Sequence, residues 1–174
     1  MARSRGQARL LTALSGCRRV NLDTNALVYY MEDCRPYADL MEAVFRRVSD
    51  GELEAVLSSI TQMELLVKPI KDHNLDLVDK VNGLIEQTEN LTVIDVSRPV
   101  VLQAAVIRAA GLTVPDSLIM ATGVVTECDA TITNDGRWRR IVDSLRSRPP
   151  MLRGYERVPL HMPKIIYLSD YVDG

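Results

Sequence analysis

Five short runs rich in β-branched residues, each followed by a helix-patterned stretch, constrain this chain more than any other feature. Residues 19–22, 54–58, 91–96, 129–133 and 164–168 read as strands. Between them apolar residues recur at spacings of three and four, as in Leu40, Met41, Val44, Phe45 and Val48, or Leu75, Leu77, Val78, Val81, Leu84 and Ile85. Further helices are expected over 24–32, from Ser59 or Thr61 to a stop at Pro69, and over 99–110, 115–127 and 137–145. Strands that alternate with helices in this way build an α/β fold, a mostly parallel central sheet covered on both faces. At 174 residues the chain is long enough to bury one good core.

Four carboxylates stand at the edges of these elements: Asp23, Glu64, Asp116 and Asp135. Each is close to residues expected in the core, where an unpaired acid is costly. Asp23 and Asp135 lie just past the carboxyl ends of strands, which is where parallel sheets bind ligands. Glu64 and Asp116 lie in helices leading from that edge, so all four can converge on one mouth. Taken singly, Asp116 after Pro115 is an ordinary first-turn acid, and Glu64 an ordinary helical glutamate. Short polar neighbours reinforce the set: Thr24 and Asn25 follow Asp23, and Thr133 and Asn134 precede Asp135, placed to cap helices and orient carboxylates.

Two carboxylates ~5 Å apart at an effective dielectric near 20 repel by roughly 3 kcal/mol. Four together need a counter-charge, and Mg²⁺ or Mn²⁺ with hard oxygen ligands supplies it. The absence of histidine or cysteine at ligand spacing argues against zinc. The chemistry this points to is metal-dependent phosphoryl transfer.

The residues resemble the PIN-domain nucleases, most of all the VapC-type toxins of toxin–antitoxin pairs. The resemblance rests on Leu22-Asp-Thr-Asn-Ala-Leu-Val-Tyr-Tyr, Ser59-Ile-Thr-Gln-Met-Glu-Leu-Leu, Pro115-Asp-Ser-Leu-Ile-Met-Ala-Thr, Thr131-Ile-Thr-Asn-Asp-Gly-Arg-Trp and the closing Lys164-Ile-Ile-Tyr-Leu. It implies a three-layer α/β/α sandwich over residues 19–174 and a Mg²⁺- or Mn²⁺-dependent endoribonuclease that hydrolyses RNA phosphodiesters with a metal-activated water. Asp23, Glu64, Asp116 and Asp135 would form its metal site, with Thr24, Asn25, Thr133 and Asn134 supporting them. It further implies a tRNA or rRNA substrate, a homodimer, and silencing by a small antitoxin. The alternatives are a PIN nuclease of RNA or DNA processing without an antitoxin, and a non-catalytic module that binds nucleic acid or protein. Ser117 stands where the family more often has a small apolar residue, and the segment 147–163 is longer than usual.

Charge and cysteine usage fill in the rest. The net charge of -2 does not advertise nucleic-acid binding, but Arg137, Arg139, Arg140, Arg146, Arg148, Arg153 and Arg157 concentrate basic charge in one stretch. Arg137, Arg139 and Arg140 are the expected RNA contacts, while Trp138 reads as core in preference to a base-stacking platform. Three scattered cysteines fit a reducing cytoplasm, and neither His73 nor His161 has a partner at ligand spacing. Residues 1–18 read as a mobile basic arm. Ser15-Gly-Cys17 superficially resembles a lipoprotein cleavage site, but the apolar run before it is shorter than the roughly 7–15 residues of a signal segment. No run approaches the roughly 18 apolar residues of a membrane span.

Overall fold

The computed structural model describes residues 4–147 and 162–172. Within them the chain runs α1 (Arg5–Ala13), β1 (Arg19–Leu22), α2 (Thr24–Met31), α3 (Tyr37–Ser49), β2 (Glu54–Ser58), α4 (Ser59–Lys71) and α5 (Leu75–Gln87). It continues through β3 (Leu91–Ile94), α6 (Arg98–Ala109), α7 (Val114–Val125), β4 (Ala130–Thr133), α8 (Arg137–Ser147), β5 (Lys164–Tyr167) and a 3-10 turn, Leu168–Tyr171. All five strands are parallel, in the order β3-β2-β1-β4-β5. The order reverses between β1 and β4, so the crevice beyond their carboxyl ends is where this topology opens a site.

Strand alternation divides the core in two. Val20, Leu22, Ala55, Leu57, Ala130, Ile132 and Ile166 pack with residues of α1, α2 and α3 such as Leu10, Leu27, Met41 and Val44. On the opposite face α6, α7 and α8 bring Val100, Ile107, Ile119, Met120, Trp138 and Val142 together with Tyr167. Helices on both faces of one parallel sheet make the expected α/β/α sandwich. Trp138 is fully buried there, as expected of a core indole.

The second face carries polar side chains where β1 and β4 meet α7. Asn21, fully buried, donates from Nδ2 to the Ile119 carbonyl at 3.0 Å and to Thr131 Oγ1 at 3.4 Å. Gly123 lets α7 approach this closely, because a Cβ added there would lie 2.9 Å from Asn21 Cβ.

Two local expectations are corrected. The first concerns residues 1–18. Ser4 and Gln7 form a reciprocal capping box that starts α1. Leu10 and Leu14, one helical turn apart, are then fully buried against the core, and Arg9 reaches the Asp170 carbonyl at 2.8 Å. Burying two leucines outweighs the solvation that would keep so basic a segment loose. The second concerns Pro69, which was expected to end its helix; α4 continues to Lys71. Proline removes one N–H near the end of this helix, and its buried ring does not prevent a last half-turn.

Among the described residues no helix is long and apolar enough to cross a membrane. Cys17, Cys34 and Cys128 are all free thiols. His73 is exposed at the end of α4 with a left-handed φ of 54°, while His161, Arg148, Arg153, Arg157 and most of the long segment 147–163 lie outside the described residues.

Candidate metal centre

Asp23 is the most buried of the four acids. Strand β1 ends in a hydrogen bond from the Asp23 amide to the Ile132 carbonyl (3.0 Å), and the residue becomes the N-cap of α2. The residue is 4% exposed. The Thr24 amide donates to Oδ1 at 2.7 Å, while Asn25 Nδ2 and the Thr133 hydroxyl donate to Oδ2 at 2.8 and 2.6 Å. Burial nevertheless pushes the carboxyl up to about 6, against the pull of the Thr133 and Thr24 bonds, with the charges of Asp116 and Glu64 adding to the rise. Those two acids therefore share its electrostatic neighbourhood.

The other three acids are each held by a nearby group. Glu64, half-buried on α4, accepts the Thr24 hydroxyl. Asp116 sits in the first turn of α7, and its neighbour Thr113 caps that helix. The Thr113 hydroxyl accepts from the Asp116 amide at 3.3 Å and donates to Asp116 Oδ2 at 2.5 Å. Asp135 receives the Arg137 amide on Oδ1 at 2.9 Å, and the Thr133 hydroxyl accepts from the Asp135 amide at 3.0 Å. One hydroxyl thus orients Asp23 and fixes the backbone of Asp135.

Arg137 completes the set. Its Nε lies 3.0 and 2.8 Å from the two Asp135 oxygens, its Nη2 also binds Asp135 Oδ2, and the same Nη2 is 3.5 Å from Asp116 Oδ2. The guanidinium holds the Asp135 carboxyl below the usual carboxylate range. Arg137, one of the expected RNA contacts, lies between two of the acids. Of its companions, Arg139 lies 4.1 Å over the Tyr167 ring and pairs with Asp170, and Arg140 is exposed.

The supporting residues divide. Asn25 touches Asp23 directly and accepts the Asn134 amide at 2.9 Å. Asn134 itself accepts from the Ser169 amide and donates to the Tyr29 hydroxyl, bolting the β4–α8 turn to its neighbours. Thr113 was missed, although its position three residues before an acid at a helix start is a capping signature. Ser117 is buried, its hydroxyl satisfied by the Thr113 carbonyl at 2.6 Å.

The four acids offer only hard carboxylate oxygens, a donor set that fits Mg²⁺ or Mn²⁺ in kind. Among the described residues no three acidic, histidine or cysteine side chains already form a coordination cage. Each acid is instead held by hydroxyls, amides or the guanidinium.

Comparison with known proteins agrees with this architecture. No curated protein sequence matches the chain. Among solved structures, VapBC-1 from nontypeable Haemophilus influenzae is similar at a TM-score of 0.59 and 17% identity, over 87% of this chain and 98% of that one. VapBC2 from Rickettsia felis, bound to a DNA fragment from their promoter, gives 0.55 and 18% over 70% and 92%. FitAcB from Neisseria gonorrhoeae gives 0.54 and 19% over 72% and 93%. At these identities the likeness is one of fold. The PIN domain model matches residues 20–143, from β1 into α8, and the chain belongs to the PIN domain family.

Proposed function

We propose that this PIN domain is a Mg²⁺- or Mn²⁺-dependent endoribonuclease, the toxin of a toxin–antitoxin pair, with Asp23, Glu64, Asp116 and Asp135 as its acidic centre. The observation that carries the proposal is the burial of Asp23. A carboxylate that only caps a helix works as well when exposed. One that belongs to a residue 4% exposed and lies within the field of two other acids is held at a cost that a bound cation would remove.

When bound, a hard divalent cation supplies Lewis acidity toward water and neutralises charge at the scissile phosphate. Asp23, Glu64 and Asp116 would hold it. The Thr133 hydroxyl, the Asn25 amide group and the Thr24 backbone fix the Asp23 carboxylate, so its orientation need not change on binding. Asp135 would stand beside the attacked phosphate with Arg137, and the exposed Arg140 would meet the backbone further out. The substrate class is structured RNA, tRNA or an rRNA loop. Similarity to VapBC and FitAcB structures supports a cognate antitoxin; a homodimeric toxin and action in the cytoplasm complete the reading.

The test is cleavage of total RNA by the purified chain with Mn²⁺, Mg²⁺ or EDTA, beside Asp23→Asn. Discrete fragments that need metal and vanish in the variant are expected. Folded protein that binds Mn²⁺ yet cuts no RNA would overturn the nuclease reading.

A further inference from the structure

A place beside the phosphate does not explain why Arg137 engages two of the acids. Its side chain is 63% exposed and could reach solvent freely, yet it lies against two acids that are each 16% exposed. A carboxylate has about four lone-pair positions. At Asp135 the Arg137 amide binds Oδ1, Nη2 binds Oδ2 and the single Nε–H is shared between the two oxygens, so three donors of this one residue engage both oxygens of the group. The same Nη2 reaches Asp116, whose Oδ2 also receives the Thr113 hydroxyl. An ion lying between Asp116 and Asp135 would have to displace the guanidinium from both.

The tether makes that displacement costly. Arg137 is two residues from Asp135 and opens α8, whose Trp138 is fully buried in the core. Its backbone is therefore fixed, and the guanidinium returns to the same acids at a high effective concentration. Arginine also stays charged at any working pH and matches a carboxylate with its planar fork.

We infer that Arg137 is a tethered cation standing in for a second divalent ion, so that this centre takes one metal, on Asp23, Glu64 and Asp116, while Asp135 is neutralised from within the chain. This rests on the metal-binding reading above. It makes Asp135 a partner of Arg137 in place of a ligand, and Arg137 a positioning residue, not an RNA clamp.

Mn²⁺ titration followed by the electron paramagnetic resonance of the free ion reads the stoichiometry directly. The full-length wild type is expected to bind one Mn²⁺ per chain, Arg137→Gln two, and Arg137→Lys, which keeps a tethered positive charge, one. Fluorescence of Trp138, the sole tryptophan, reports that α8 stays docked in each variant. Two ions in the wild type, one in Arg137→Gln, or two in Arg137→Lys would each overturn the inference; the wild-type count decides even if a variant fails to fold. Two wild-type ions with metal-dependent RNA cleavage would leave the nuclease reading intact and remove only the role of Arg137. No Mn²⁺ bound by folded wild type would remove both.

Discussion

Replacing Asp23 by asparagine is expected to stabilise the metal-free protein increasingly as pH rises. The buried carboxyl titrates at about 6, against 3.8 for an unperturbed aspartate. Below the lower value both folded and unfolded chains are protonated and the group contributes no pH dependence. Between the two values the unfolded chain ionises while the folded chain does not, so wild-type stability falls as pH rises. Above about 6 the loss is complete. The difference of roughly two pH units corresponds to about 3 kcal/mol. Asparagine cannot ionise, so the stability of Asp23→Asn minus that of wild type should grow by about 3 kcal/mol across this window and then level off. Asparagine also puts a donor in place of one of the two oxygens, opposite either Thr24 or the Thr133 and Asn25 pair, which shifts the whole difference by a constant without bending it. Urea unfolding in EDTA at pH 4 to 8 measures the difference at each pH. A difference flat from pH 4 to 7, or one that shrinks as pH rises, would refute the account of Asp23 as a buried, electrostatically strained acid. With Mn²⁺ at about 100 times its dissociation constant, wild type should gain about 2.7 kcal/mol and the variant little.

Other substitutions probe the scaffold. Gly123→Ala places a Cβ against Asn21 and is expected to cost about 1–3 kcal/mol in urea unfolding; a change within experimental error would show that α7 can back away from the sheet. Leu10→Ala should cost about 2–5 kcal/mol if α1 belongs to the core, and almost nothing if the segment were a loose arm. Thr133→Val removes a hydroxyl that lowers the Asp23 carboxyl, so its titration, followed by ¹³C NMR, should move to higher pH. A shift toward lower pH would mean that the hydroxyl does not stabilise the ionised form. In the metal-free protein Asp116→Asn should also raise stability at neutral pH, since it takes one of the repelling charges from Asp23; a loss of stability there would indicate that its pairing with Arg137 dominates.

What could be read from the chain and what could not divides along a physical line. The strand–helix alternation and the positions of Asp23 and Asp135 past strand ends follow from period and turn chemistry, which are local. The reversal of strand order between β1 and β4 is not local, yet placing all four acids near one sheet edge needed only the general rule for parallel sheets. Residues 1–18 were harder. Only Leu10 of α1 and Leu14 at its C-cap enter the core strongly, and against five arginines from Arg3 to Arg19 two leucines give a weak pattern; the Ser4–Gln7 capping box was the readable sign. The direction of Arg137 was illegible because a surface arginine has many rotamers. Its second carboxylate contact, Asp116, lies twenty-one positions away in sequence.

The strand order has a consequence for when the chain becomes complete. Glu64 has been synthesised early, but the hydroxyl that holds Asp23 in place belongs to Thr133, 110 positions after it. β4 must return to lie beside β1, whose other edge pairs with β2. Contacts so distant in sequence form late. A nascent chain therefore carries Asp23 at an open sheet edge, without Thr133 or Arg137, until most of the protein has left the ribosome. The acidic centre would be assembled only once β4 and the start of α8 have been made.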